Sequence, residues 1–180
     1  MLPSRLLLIL TSLFLFACAT QHPNQDPTGK MFPSVEGSSL EKETIKMPEK
    51  FLGAQTLLLL GYVQNSQFDI DRWLIALDFT ETKVNVYELP TIAGMAPRMF
   101  SGFIDDGMRK GIPKELWKGV VTIYEGGDEV QEMTGNENPN NARVILLDKT
   151  GKIIYFYDRG FAPSALRAVR ELLETEETTD

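Results

Sequence analysis

One cysteine and one histidine are all that 180 residues contain of either type. Both, Cys18 and His22, fall near the front, so the apolar body that follows has neither. A body without imidazole or thiolate cannot build a Ser-His-Asp or Cys-His unit and lacks the usual zinc ligands. Disulfide exchange and peroxide reduction both run through a protein thiolate. The sequence therefore predicts neither a thiol-disulfide oxidoreductase nor a peroxidase, expects no cofactor, and favours a non-enzymatic role. Positive charge is also scarce: 18 Lys and Arg stand against 25 Asp and Glu, a net charge of −7. Such a surface repels phosphate backbones and anionic lipids, so nucleic acid is not an expected partner.

Long apolar runs are missing too. Leu6 to Phe16, interrupted by Thr11 and Ser12, is the apolar stretch at the front. A membrane-spanning helix needs about 20 apolar residues, so this one is too short to cross. With Arg5 before it and Ala17 after it, it has the dimensions of a secretory signal core. The run Leu15-Phe16-Ala17-Cys18 resembles the lipobox of bacterial lipoproteins, with Phe16 where a small residue is often found. That resemblance implies cleavage before Cys18, a diacylglyceryl thioether on its sulfur and an acylated amine. Two or more chains anchor a protein stably where one does not. Ala19 after the cysteine, by resemblance to Gram-negative lipoproteins, implies the periplasmic face of the outer membrane. The expected partners are the membrane, through covalent lipid at Cys18, and an unidentified envelope protein.

The organisation expected is a signal peptide at 1–17, a lipidated cysteine with a flexible tether at 18–31, one domain at 32–174 and a disordered acidic tail at 175–180. The tether is polar, with Pro23 and Pro27 and no apolar period. Within the domain, Thr56 to Val63 reads as a strand buried on both faces. Ser66 with Asp69 three residues later reads as a helix start in the manner of a capping box. Ile70, Trp73, Leu74 and Leu77 then follow at helical spacing. Val84 to Leu89 reads as a second strand, and Met95 to Met108 as a helix with Met95, Met99 and Phe103 on one face. Ile112 to Trp117 reads as a short helical turn and Val120 to Tyr124 as a strand. The glycine- and asparagine-rich stretch from Glu125 to Asn141 reads as loop. Two strands joined by a tight turn at Lys149-Thr150-Gly151 and a helix over Ala162 to Leu173 complete the pattern.

This order, with "GKMFPSVEGSSL" at the front, "LLLLGYV" before a turn and helix, and "RVILLDKTGKIIYFYDRGFAPSALRAVREL" at the back, resembles the thioredoxin-like fold of peroxiredoxins and lipid-anchored relatives. The resemblance implies an α/β domain, a mixed sheet with helices on both faces. "IPKELWKG" through "GKIIYFYDRG" resembles a mitochondrial ATP synthase assembly-factor family of the same fold. The turn that carries the reactive cysteines in thioredoxins is Gln64-Asn65-Ser66 here. The cis-proline position falls on Ala142 or Arg143.

The candidate site is therefore a binding corner of Tyr62, Gln64, Asn65, Ser66 and Arg143. A helix N-terminus attracts anions, so this corner could take a small anion or a peptide carboxylate. Alternatively, Arg143 pairs with a nearby acid. Carboxylates offer another route, through Asp69, Asp71, Asp78, Asp105 and Asp106. Asp69 and Asp71 point to different sides of a helix, and Asp105 with Asp106 lacks EF-hand spacing. "EGGDEV" resembles the GGDEF signature of diguanylate cyclases, but the rest of that domain is absent and it reads as a glycine turn. The leading reading is an anchored, redox-inactive protein-binding or assembly module. The alternatives are a thiol-independent enzyme using carboxylates or a bound metal, and an envelope structural or stress protein.

Overall fold

The computed structural model describes residues 21–94 and 99–177. The signal segment, Cys18, Met95 and residues 178–180 lie outside them. Strands β1 (Val35–Ser39) and β2 (Thr44–Met47) form a hairpin. There follow β3 (Thr56–Gly61), α1 (Gln67–Phe79), β4 (Asn85–Pro90), α2 (Ser101–Gly111), β5 (Val121–Thr122), α3 (Gly127–Thr134), β6 (Arg143–Leu147), β7 (Ile153–Tyr157) and α4 (Pro163–Glu177). A four-stranded mixed sheet has the order β4-β3-β6-β7, and an antiparallel sheet has the order β2-β1-β5. Only β3 and β4 in the larger sheet run parallel, joined through α1; β6 pairs antiparallel with β3, and β7 with β6. Parallel bridges from Glu88 to Val120 and from Thr91 to Ile123 link the two sheets.

The core follows from the apolar run. All six residues of β3 are buried. Leu57 and Leu59 face α1 and α4, meeting Ile70, Trp73, Leu77, Leu166 and Val169. Leu58 and Leu60 face the β1–β2 hairpin and α3, meeting Val35, Ile45, Met47 and Val130. Each such leucine contributes about 1.5–3 kcal/mol by burial, which exceeds the roughly 1–2 kcal/mol of backbone entropy lost per residue. Helices thus cover both faces of a mixed sheet, as expected.

Two elements differ from the sequence reading. The stretch read as loop after Glu125 contains α3, whose one deeply apolar anchor is Val130. Besides Gly127, its other buried residues are polar: Gln131 Nε2 donates to Thr91 O at 3.3 Å, and the Thr134 hydroxyl bonds Val130 O. A helix held by one valine and side-chain amides leaves no apolar period to read. Of the helix expected over Met95 to Met108, α2 covers the part from Ser101 and runs on to Gly111, while Met95 lies outside the described residues. Met99 and Phe103 point into solvent. The buried anchor of α2 is Asp105, which accepts a 2.8 Å hydrogen bond from the Tyr124 hydroxyl, while Arg109 Nε donates to Leu40 O at 2.8 Å. α2 docks by polar contacts, so its apolar stripe faces outward.

The segment read as tether is hydrogen-bonded to the domain from His22 onward. His22 N–H donates to Asn136 Oδ1 at 2.8 Å, and Asn136 N–H donates to His22 O. Gln25 N–H donates to Thr134 O, and Gly29 N–H to Ile153 O. Among the described residues, no helix is long and apolar enough to cross a membrane.

Candidate functional site

The corner forms where β3 ends and α1 begins. A 3-10 turn, Gln64–Ser66, runs directly into α1. Ser66 is helical rather than extended and makes no side-chain cap; its hydroxyl donates to Val63 O at 2.6 Å. Asp69 does not close a capping box. Its buried carboxylate accepts the N–H groups of Ala142 at 3.0 Å and Phe161 at 2.7 Å. The acid three residues into the helix therefore ties two distant loops to α1.

Arg143 opens β6 opposite Leu60, the last leucine of β3. Its side chain is fully buried. The guanidinium donates to Gly135 O at 3.2 Å, Asn138 O at 2.6 Å, Asn141 O at 2.9 Å and Asn24 Oδ1 at 3.3 Å. It lies 4.9 Å from the centroid of the Tyr62 ring, a cation–π distance. Neither sequence reading of Arg143 anticipated this arrangement. No carboxylate pairs with it among the described residues, and carbonyl oxygens and an aromatic face take the charge. Burial lowers its pKa from the ordinary arginine range, opposed by Tyr62 and Asp158. The Tyr62 hydroxyl shares a hydrogen bond with Thr134 Oγ1 and donates to Val130 O at 3.4 Å. Burial pushes the Tyr62 phenol up to about 12, with Thr134 and Arg143 pulling it down.

The structure thus brings Tyr62 and Arg143 together and leaves Gln64 and Asn65 apart from them, exposed with Val63 on the outer turn. The N-terminal segment closes over the inner pair. Gly135 sits where Arg143 and Asn24 meet, with φ 77° and ψ 163°, a region essentially open to glycine alone. A Cβ there would run into the backbone of Pro23 and Asn24.

Besides Asp69, the buried acids among the described residues are Asp105 and Glu88, whereas Asp106 is exposed. Asp105 and Asp106 are both turned to Arg109, at 3.9 and 2.7 Å. Among the described residues, no three of His, Cys, Asp and Glu gather as a metal site would require. Glu88, on β4, was missed. Its carboxylate is buried and accepts from Gln67 Nε2 at 3.4 Å, the same amide that donates to Asp71 Oδ1 at 2.9 Å. Burial raises the Glu88 pKa; Gln67 opposes the rise and Asp71 adds to it. The readable signal was an acid inside the strand pattern "VNVYEL".

A carboxyl raised in the folded state stabilises the fold below its unfolded pKa, and that contribution is lost as pH climbs through the folded value. Glu88→Gln is therefore expected to raise stability at neutral pH by about 1.4 kcal/mol for each unit of upward shift. The gain should vanish in acid. Urea denaturation of both proteins at pH 4 and pH 7.5 measures it; equal differences at the two values would refute the burial argument.

No family model and no curated protein matches the sequence. Solved structures do. A thiol peroxidase from Chromobacterium violaceum superposes with a TM-score of 0.58 at 15% identity, over 89% of this chain and 93% of that one. The fold is thioredoxin-like. A thiol:disulfide interchange protein from Bacteroides sp. matches at 0.52 and 18% identity, over 82% and 90% of the two chains. The pneumococcal exposed lipoprotein thioredoxin from Streptococcus pneumoniae matches at 0.50 and 14%, over 78% of this chain and all of that one, 100%.

These neighbours correct one expectation. From the sequence, the missing thiol excludes oxidoreductase and peroxidase roles and favours a non-enzymatic protein. The thioredoxin-like neighbours include a thiol peroxidase and a disulfide-interchange protein, and that exclusion does not stand against them. At such identities the likeness speaks for the shared fold.

Proposed function

We propose that this thioredoxin-like domain is a protein-binding or assembly module, anchored through lipid on Cys18 at the periplasmic face of the outer membrane. The observation that carries the reading is the outer turn of the corner. Val63, Gln64 and Asn65 are exposed, while the residues behind them are locked by Ser66, Asp69 and Arg143. A loop held on a rigid frame loses little freedom on binding, which favours it as a contact surface. The anchor is supported by the signal-like leader and by the occurrence of this fold in a protein named as an exposed lipoprotein.

Two measurements test it. Cys18→Ser should abolish incorporation of labelled palmitate and release the protein from membranes. A mutant that still takes up palmitate removes the anchor. A photo-cross-linking residue placed at Gln64 or Asn65 should trap a discrete partner band in cells. No band from either position would count against a binding module.

A further inference from the structure

The chain leaves the domain toward Cys18 at the end that carries a rim of exposed aromatic residues. β3 and β4 are parallel and deliver their C-terminal ends to the corner. β6 is antiparallel and starts there with Arg143. His22 and Asn24 dock against Asn136 and Arg143, so the N-terminal segment emerges at this same end. Four residue steps separate Cys18 from His22, at most about 14 Å of fully extended chain. Lipid on Cys18 would hold the corner end close to the bilayer; this step rests on the anchor proposed above.

At that end stand Val63, 42% exposed; Phe68, 71% exposed in the first turn of α1; and Phe100 and Phe103, 63% and 82% exposed. Phe100 and Phe103 flank Ser101, whose carbonyl accepts from the Tyr124 hydroxyl at 3.1 Å. Tyr124 follows Ile123, which is bridged to Thr91 just past the C-terminal end of β4. Scattered exposed apolar side chains are ordinary, but three phenylalanines at the anchored end are not scattered. The net charge of −7 gives an anionic surface no attraction, so any contact with lipid has to be apolar.

We infer that Val63, Phe68, Phe100 and Phe103 form a bilayer-docking rim whose side chains enter the headgroup boundary and fix the orientation of the domain on its anchor. Phe79, 87% exposed at the far end of α1, lies about 16 Å along the helix from Phe68 and faces away from the membrane. Gln64 and Asn65 then meet a partner at the membrane surface.

The lipidated protein has no free thiol once Cys18 is modified, so single substitutions Phe68→Cys, Phe103→Cys and Phe79→Cys each place one. All three positions are exposed, and the variants keep the core. Each variant, processed in cells with labelled palmitate, is purified and placed in vesicles of phosphatidylethanolamine and phosphatidylglycerol. A membrane-impermeant maleimide should then modify positions 68 and 103 about tenfold more slowly than position 79, as expected for side chains seated in the interface. In detergent-free denaturant the three rates should converge. Palmitate present with equal rates in vesicles overturns the rim and leaves the anchor standing. No palmitate removes the anchor and the rim together. Protection in whole cells that disappears in the vesicles assigns the rim to a protein and overturns the bilayer contact.

Discussion

Arg143→Ala is expected to cost the domain about 3–5 kcal/mol, from the hydrogen bonds and the cavity together, and to lower its Tm by roughly 10 °C at this size. The guanidinium supplies donors to three backbone carbonyls, of Gly135, Asn138 and Asn141, and to the Asn24 side chain. Removing it strands those acceptors beneath the docked N-terminal segment. It also removes the cation from the face of Tyr62. Arg143→Met keeps most of the volume and loses every donor, so it should recover only the cavity part. Arg143→Lys offers a point charge without the planar fork and should fall between wild type and alanine. Urea denaturation of the four proteins decides the matter. An alanine variant within about 1 kcal/mol of wild type would mean that the carbonyls find water instead, and that burial of this arginine matters little.

Gly135→Ala should be nearly as damaging, by a different route. Its backbone conformation is strained for any residue with a Cβ, at about 1–3 kcal/mol. The added methyl would also meet the backbone of Pro23 and Asn24, which cannot yield as a flexible side chain would. The cheapest escape is for residues 22–25 to lift away, giving up the bonds of His22 and Gln25 at about 0.5–1.5 kcal/mol each. A total near 3 kcal/mol follows. The signature is local: amide exchange at Gln25 and Asn136 should rise towards that of an open loop while β3 and β6 remain protected. Unchanged exchange at Gln25 would show that the segment tolerates the methyl.

What the sequence made legible depended on which kind of force held each part. The apolar run from Leu57 to Leu60, the stripe of Ile70, Trp73 and Leu77, and the hairpin around Gly151 are held by burial and turn geometry. Both leave a period or a glycine in the sequence. α3 and α2 are held by Gln131, Thr134, Asp105 and Arg109, and polar docking has no period. Arg143 was singled out, but its partners are backbone carbonyls, which every residue has, and one asparagine 119 positions away. No composition rule points to them. The N-terminal segment was read as tether for the same reason: its attachments to Thr134 and Ile153 run between main-chain groups. Glu88 was passed over because its burial comes from Gln67 and the linked β5 segment, a tertiary circumstance.

The docking of residues 29–32 has a consequence for solubility. β7 is the last strand of its sheet, and such a strand offers unpaired amides and carbonyls to any other chain. Gly29 and Lys30 occupy both outward backbone groups of Ile153, Met31 bridges Lys152, and Phe32 N–H donates to Gly151 O. Residues 29–32 thus blunt the start of that margin and hinder strand-to-strand aggregation.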